Sequence, residues 1–256
     1  ESLHLRGDGS VVPVEISASN LPVIQWEKDQ TEDAGLVKID LLGNRSLAVI
    51  RDAITAVARN TGRVIDYATW DPLTDPATND LIRHGETMGC FYVESPATRL
   101  LLKKLWGGMP PVRRAVADVF EYLVVVSSII RPAANVFADE FVRRAQGQRY
   151  QSLHPLLDQV LAETHGVMVY QEDVIKVAVA LGGFSVEDGD QLRKVLSKKH
   201  KARQLRDYQR QFYKGATIRG VQQHVIDTIW AMIMSFAGYS FCKPHSASYA
   251  QVSFKS

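Results

Sequence analysis

Cysteine is scarce in this sequence: Cys90 and Cys242 are the only two in 256 residues. They lie far apart, and neither has a second thiol or a histidine at zinc-ligand spacing. Neither a disulfide framework nor a metal knuckle is therefore indicated, and a reducing, cytoplasmic setting is expected. Long apolar runs are also missing. The longest, around residues 122–130, has two serines inside it and falls well short of the roughly 18–20 residues that span a bilayer, so no membrane partner is expected. Nor does one sign of charge dominate, because 30 lysines and arginines face 28 acids, and the net charge of +2 does not by itself indicate nucleic acid. No Walker-type phosphate loop, no Gly-x-Ser-x-Gly elbow and no His-Glu-x-x-His helix occurs. Internal repeats and low-complexity tracts are absent as well. The first residue is Glu1, nothing near it resembles a secretion signal, and the chain reads as a segment of something longer.

With 46% hydrophobic and 23% charged residues, the chain has a globular composition and enough length for one large or two small cores. Residues 1–45 read as strands and turns, with partial alternation over 11–16, a short apolar stretch at 23–26 and a Val/Ile/Leu run over 36–42. Helical spacing opens at Ser46, where Leu47, Ile50, Ile54 and Val57 form a stripe before a stop at Gly62. The stretch 67–80, with Pro72 and Pro76, reads as a loop, and from about Pro76 onward the pattern is nearly all helical. Ser185 with Asp188 forms a capping box after a Gly182-Gly183 stop. Val225, Ile229, Ile233 and Phe236 share one face of a helix over 221–236. The expected fold class is α+β, mainly α, with a small β-containing head over 1–45 and a large helical body over 46–256.

Four segments carry residues suited to chemistry. Asp40 ends an apolar run before Gly43, where a carboxylate either holds a divalent cation or caps the helix that follows. Between Arg193 and Lys214 there are nine lysines and arginines against one acid, Asp207. Within the stretch 191–199, which also holds Lys199, Arg193 with Ser197 and Lys194 with Lys198 stand at helical i,i+4 spacing, which gives either a solvated face or a surface for phosphate oxygens. The segment Phe241-Cys242-Lys243-Pro244-His245-Ser246 places Lys243 and His245 around a proline suited to a first helical turn. It serves either as a cap or as an anion site. Arg131-Pro132 follows an apolar run, where Arg131 pairs with a carboxylate such as Glu94 or Glu121 or meets a ligand.

Taken in order, these segments resemble the alpha subunit of bacterial DNA polymerase III, the C-family or DnaE type. The series begins with Gln25-Trp26-Glu27-Lys28-Asp29 and Ala34-Gly35-Leu36-Val37-Lys38-Ile39-Asp40-Leu41-Leu42-Gly43, and continues with Phe91-Tyr92-Val93-Glu94-Ser95 and Arg131-Pro132. It closes with Gly166-Val167-Met168-Val169-Tyr170-Gln171-Glu172, with Asp190-x-Leu192-Arg193-Lys194, and with the stretch from Phe236 through Lys243, His245 and Ser246 to Ala250. The resemblance covers almost the whole chain. It implies that residues 1–45 are the C-terminal part of a nucleotidyltransferase-like palm and that 46–256 are helical fingers, cut short.

It further implies that Asp40 is a catalytic residue and a ligand of Mg2+, and that Arg131, Arg193, Lys194, Lys198, Lys199, Lys243 and His245 meet nucleotide or DNA phosphates. The implied substrates and partners are deoxynucleoside triphosphates, primed DNA template, and a sliding clamp and other holoenzyme subunits reached through parts outside this chain. Departures accompany the likeness. The family's proline-aspartate-x-aspartate-x-aspartate-phenylalanine motif is absent, so the fragment alone is expected to be inactive. Ala133-Ala134 replaces glycine-proline after Arg131-Pro132, Ser197 stands for glycine, Lys194 for arginine and Asn44 for an apolar residue. These point to a divergent or error-prone member, with a non-catalytic, polymerase-derived nucleic-acid or partner-binding module as the alternative.

Overall fold

The computed structural model describes residues 2–5, 11–16, 22–23, 26, 28–36, 45–130, 135–196, 202–236 and 242–256. The chain divides into two compact units, Glu1–Arg45 and Ser46–Ser256. In the first unit, β1 (Ser2–Leu5), β2 (Val11–Ile16) and β3 (Pro22–Val23) pair antiparallel in that order, with Ser2 opposite Val14 and Glu15 opposite Val23. Lys28–Asp33 forms a short helix, α1, where strands and turns were expected. Its residues, apart from Thr31, are not β-branched, and Gly35 at φ 75° closes it, with the Ala34 N–H donating to Gln30 O and the Leu36 N–H to Thr31 O. The remainder of the expected 36–42 run, Asp40 included, lies outside the described residues.

The second unit is helical. It opens with α2 (Arg45–Thr61), which Gly62 ends at φ 72° as its N–H bonds Ala58 O. The stripe read from the sequence is only partly covered: Ile50 is buried, while Leu47 is 43% exposed. Periodicity reports an apolar face but not whether anything packs on it. There follow α3 (Pro76–Arg83), α4 (Pro96–Gly107), α5 (Pro111–Val116), α6 (Val119–Ile129), α7 (Asn135–Ala145) and α8 (Pro155–Val160). One device recurs at three of these heads. Asp75, Ser95 and His154 each accept a backbone N–H of the first turn, and a proline occupies the position after the cap. The last helices are α9 (Gln171–Ala180), α10 (Val186–Leu196), α11 (Ala202–Ile218), α12 (Gln223–Met234) and α13 (Lys243–Phe254). Ser185 caps α10 by accepting the Asp188 N–H at 3.0 Å, and Val225, Ile229, Ile233 and Phe236 are buried on α12 and just past its end.

Two apolar cores form within this unit. The first gathers α4, α6, α7 and α13 around Leu102, Trp106, Leu123, Ile129, Phe141 and Phe254. α6 is apolar nearly all round and correspondingly buried. The second gathers α9 through α12 around Val174, Val177, Phe212, Ile229 and Ile233. α11 sits tightly against the turn after α9. A Cβ on Gly215 would lie 1.7 Å from Gly182 O, and one on Gly182 would lie 2.5 Å from the Phe212 ring, so side chains are excluded at both positions.

Candidate functional site

The segment that links the two cores also builds the site. After α8, His165 (φ 54°) and Gly166 (φ 76°) turn the chain. Arg144 Nη1 donates to His165 O at 3.0 Å, and the Thr164 hydroxyl donates to Val167 O at 2.6 Å. Residues 167–169 then alternate: Val167 and Val169 enter the first core and Met168 enters the second, after which Tyr170 also enters the first. A period of two thus joins two helical cores. At its end the buried Asp173 carboxylate accepts the N–H groups of Val169 and Tyr170, each at 2.9 Å, which satisfies orphan donors at the head of α9. Burial raises the Asp173 carboxyl, against the lowering by those two N–H groups and Lys176.

Three consecutive residues then reach in three directions. Gln171 Oε1 accepts Arg193 Nη1 at 3.1 Å, which ties α9 to the last turn of α10. Glu172 Oε2 accepts the Lys243 backbone N–H at 3.2 Å, at the head of α13. The Tyr170 ring lies 5.4 Å from Lys243 Nζ, within cation–π range. Burial, with Glu163 and Asp173 nearby, holds the Tyr170 hydroxyl far above its usual value, so it stays protonated.

The cations at this junction are held by acids. Lys243 Nζ meets Glu163 at 2.8 Å and Glu121 at 3.9 Å, and Lys176 meets Glu163 and Asp173 at 3.5 Å each. Partial burial works against charge on Glu163, but Lys243 and Lys176 outweigh it and hold its carboxyl below the usual 4.5. Burial likewise works against the Lys243 ammonium, and Glu163 and Glu121 outweigh it, leaving its value above the usual 10.5. Both groups are charged at neutral pH. Asp190 takes Arg193 Nη2 at 2.8 Å and Lys194 Nζ at 3.1 Å. The basic run, which holds one acid of its own, Asp207, thus finds a further balancing acid in Asp190, one helical turn upstream of both residues.

α13 is seated from behind. The fully buried Ser246 hydroxyl is hydrogen-bonded to Ser128 of α6. Further along the same face Tyr249 packs against Tyr92, with ring centroids 4.8 Å apart, and Ser253 Oγ donates to Phe91 O at 2.9 Å. The Phe91–Ser95 motif therefore supports α13. Beside Lys243 opens a cavity of about 220 Å³, lined by Glu121, Tyr122, Phe141, Glu163, His165 and others. Burial, then Arg113 and Arg144, hold the His165 ring below the usual 6.5, with the Tyr122 hydroxyl 3.2 Å from Nε2.

Of the residues singled out in the sequence, the structure brings Arg193 and Lys243 to the two flanks of the α9 head. It turns Lys194 onto Asp190 and leaves His245 exposed in the first turn of α13. Asp40, Arg131, Lys198 and Lys199 lie outside the described residues. Sequence reasoning missed Glu163 and the Ser128–Ser246 pair, and it named Asp190 and Glu121 without pairing them with Arg193 and Lys243. Asp190 was readable from helical spacing, whereas Glu163 lies 80 positions from Lys243 and left no local signal. Among the described residues no group of three His, Cys, Asp or Glu side chains could hold a metal ion, and no helix is long and apolar enough to cross a membrane.

Residues 46–220 match the family model of the bacterial DNA polymerase III alpha subunit finger domain. The chain belongs to this family. Its relatives include the DNA polymerase III subunit alpha of Neisseria meningitidis serogroup A, 36% identical over 234 residues, or 91% of this chain and 19% of the relative. The error-prone DNA polymerase of Symbiobacterium thermophilum is 35% identical over 248 residues, covering 96% of this chain and 21% of the relative. The subunit alpha of Staphylococcus aureus strain COL is 33% identical over 231 residues, covering 90% and 21%. The finger-domain chain thus spans about a fifth of the length of these curated relatives. The matched stretch holds α9 through α11, and α13 with Lys243 follows it.

Proposed function

We propose that this chain supplies the fingers of a template-directed bacterial DNA polymerase, and that the heads of α9 and α13 with the end of α10 handle the triphosphate of the incoming deoxynucleotide. The observation that carries this reading is the convergence of Arg193 and Lys243 on one helix head through the adjacent Gln171 and Glu172. Arg193 is oriented by Gln171 and Asp190, and its planar fork has the geometry of bidentate phosphate recognition. Lys243 is a point charge held in reserve by Glu163 and Glu121, and an arriving phosphate oxygen takes the place of one carboxylate. His245 adds a donor on the same first turn.

Residues 1–45 are the end of the palm in this reading, and Asp40 is a ligand of Mg2+, a metal that stabilises charge on phosphoryl oxygens when bound. The chain lacks the family's paired-aspartate motif, so it is not expected to extend primers by itself. Primed DNA, deoxynucleoside triphosphates and holoenzyme subunits are the partners of the whole polymerase. The test is steady-state primer extension by the intact polymerase carrying Lys243→Gln or Arg193→Gln. A rise of about 10-fold or more in the KM for deoxynucleotide is expected, equivalent to one lost charged contact. An unchanged KM in both variants would contradict the assignment.

A further inference from the structure

The solvent face of α11 is a second basic surface, separate from the α9–α13 junction. Arg203, Arg206, Arg210 and Lys214 recur at intervals of three and four, which places them within a wedge of about 80° and along about 16 Å of one helix. All four are exposed. The opposite face, with Leu205, Tyr208, Phe212 and Ala216, packs into the second core, and the Gly215 and Gly182 approach fixes the helix in place. Asp207 is the single acid on the basic face, and it pairs with Arg210. Arg203, Arg206 and Lys214 have no ion pair among the described residues. Like charges at i,i+3 and i,i+4 destabilise a helix by a few tenths of a kcal/mol per pair, roughly, and the repulsion is relieved by an external polyanion.

We infer that this face binds the sugar-phosphate backbone of duplex DNA. The choice of DNA as the polyanion rests on the polymerase reading, whereas the stripe itself does not. Two observations select duplex over single strand. Single-strand binders interleave cations with exposed aromatic platforms, whereas on α11 the two tyrosines are partly buried, Tyr208 packed on Phe184 and Tyr213 on Trp230, and neither falls within the wedge of the four cations. Beside the stripe runs a groove of about 270 Å³ between α10 and α11, lined by Gln191, Gln204 and Gln211 together with Val195, Asp207 and Tyr208. The neutral donors of the glutamines are of the kind that bond phosphate and sugar oxygens and fix register on a duplex.

The test is fluorescence anisotropy of the 256-residue chain with a blunt duplex and with a single strand of equal length, at salt from about 50 to about 200 mM. A stripe variant carries Gln at Arg203, Arg206, Arg210 and Lys214. A charge-matched control carries Gln at Arg51, Arg59, Arg63 and Lys103, all exposed on other elements. The stripe variant is expected to lose about 10-fold or more in duplex affinity and to flatten the slope of log K against log salt by about 3, since each phosphate contact contributes about 0.9. The control is expected to change little, and single-strand affinity is expected to fall less than duplex affinity. Unchanged duplex binding by the stripe variant, an equal loss in the control, or a larger loss for single strand would each overturn the inference. An unchanged deoxynucleotide KM for the Lys243 and Arg193 variants would instead strike the triphosphate site and leave the stripe standing.

Discussion

Arg193 and Lys243 are each gripped by carboxylates and by neighbours from other helices, whereas Arg203, Arg206 and Lys214 on α11 stand in solvent without an ion pair among the described residues. The two regions show two uses of the same residue types. At the α9–α13 junction the cations are partly buried, so each would be costly to desolvate alone, and acids from α6, α10 and the turn before Gly166 offset that cost. Such a cation is held in one geometry and suits a small ligand with fixed shape. On α11 the side chains are exposed to solvent, and their common property is a line of charge. That suits a long polyanion whose contribution is counterion release.

The sharpest way to break this comparison is to unseat the helix on which it depends. Gly215→Ala would place a Cβ against the Gly182 carbonyl at 1.7 Å, a backbone overlap that no rotamer relieves. A loss of about 3 kcal/mol is expected in denaturant unfolding, with duplex binding weakened in parallel. Thr217→Ala, on the exposed face, should stay within about 0.5 kcal/mol. Next in size is Asp173→Ala, which leaves the buried Val169 and Tyr170 N–H groups without their acceptor. About 2 kcal/mol of stability should be lost, and deoxynucleotide affinity should fall while α11 binding persists. That outcome would separate the two surfaces, and equal loss at both would join them.

The smallest effect is a pH dependence. The folded Glu163 carboxyl lies below its usual 4.5, so its stabilising pair with Lys243 is fully present above that value and is lost as pH falls through the lower, folded one. The stability difference between wild type and Glu163→Gln should be flat near neutrality and close on acidification. At an exposed pair it should amount to no more than about 1 kcal/mol. A difference that instead grew in acid would contradict the pairing.

What was legible in the sequence was mainly local. The Ser185 cap, the Gly62 stop and the buried face of α12 follow from spacing alone, because each depends on neighbours within one or two turns. α1 was missed because a six-residue helix carries too little periodicity to outweigh the surrounding strand signals. The α2 stripe was visible but its burial was not, since burial depends on a partner element. Of the site, Arg193 and Lys243 came through the charge pattern and the family likeness, and Asp190 stood in the same motif as Arg193, but the pairing of acids with these cations was not legible. Asp190 sits within reach of helical spacing, but Glu121 and Glu163 arrive from other elements. Nothing around Gly215 announces the carbonyl that passes over it.

The most direct test of the account is binding of a deoxynucleoside triphosphate to the chain by titration calorimetry, comparing wild type with Glu163→Gln. If Glu163 and an incoming phosphate compete for Lys243, removing the carboxylate charge should tighten binding by about 5-fold, the worth of one exposed ion pair, and the α11 stripe variant should leave that value where it was. Affinity that is weaker or unchanged in Glu163→Gln would contradict the account, since Lys243 would then not be the group that the triphosphate reaches.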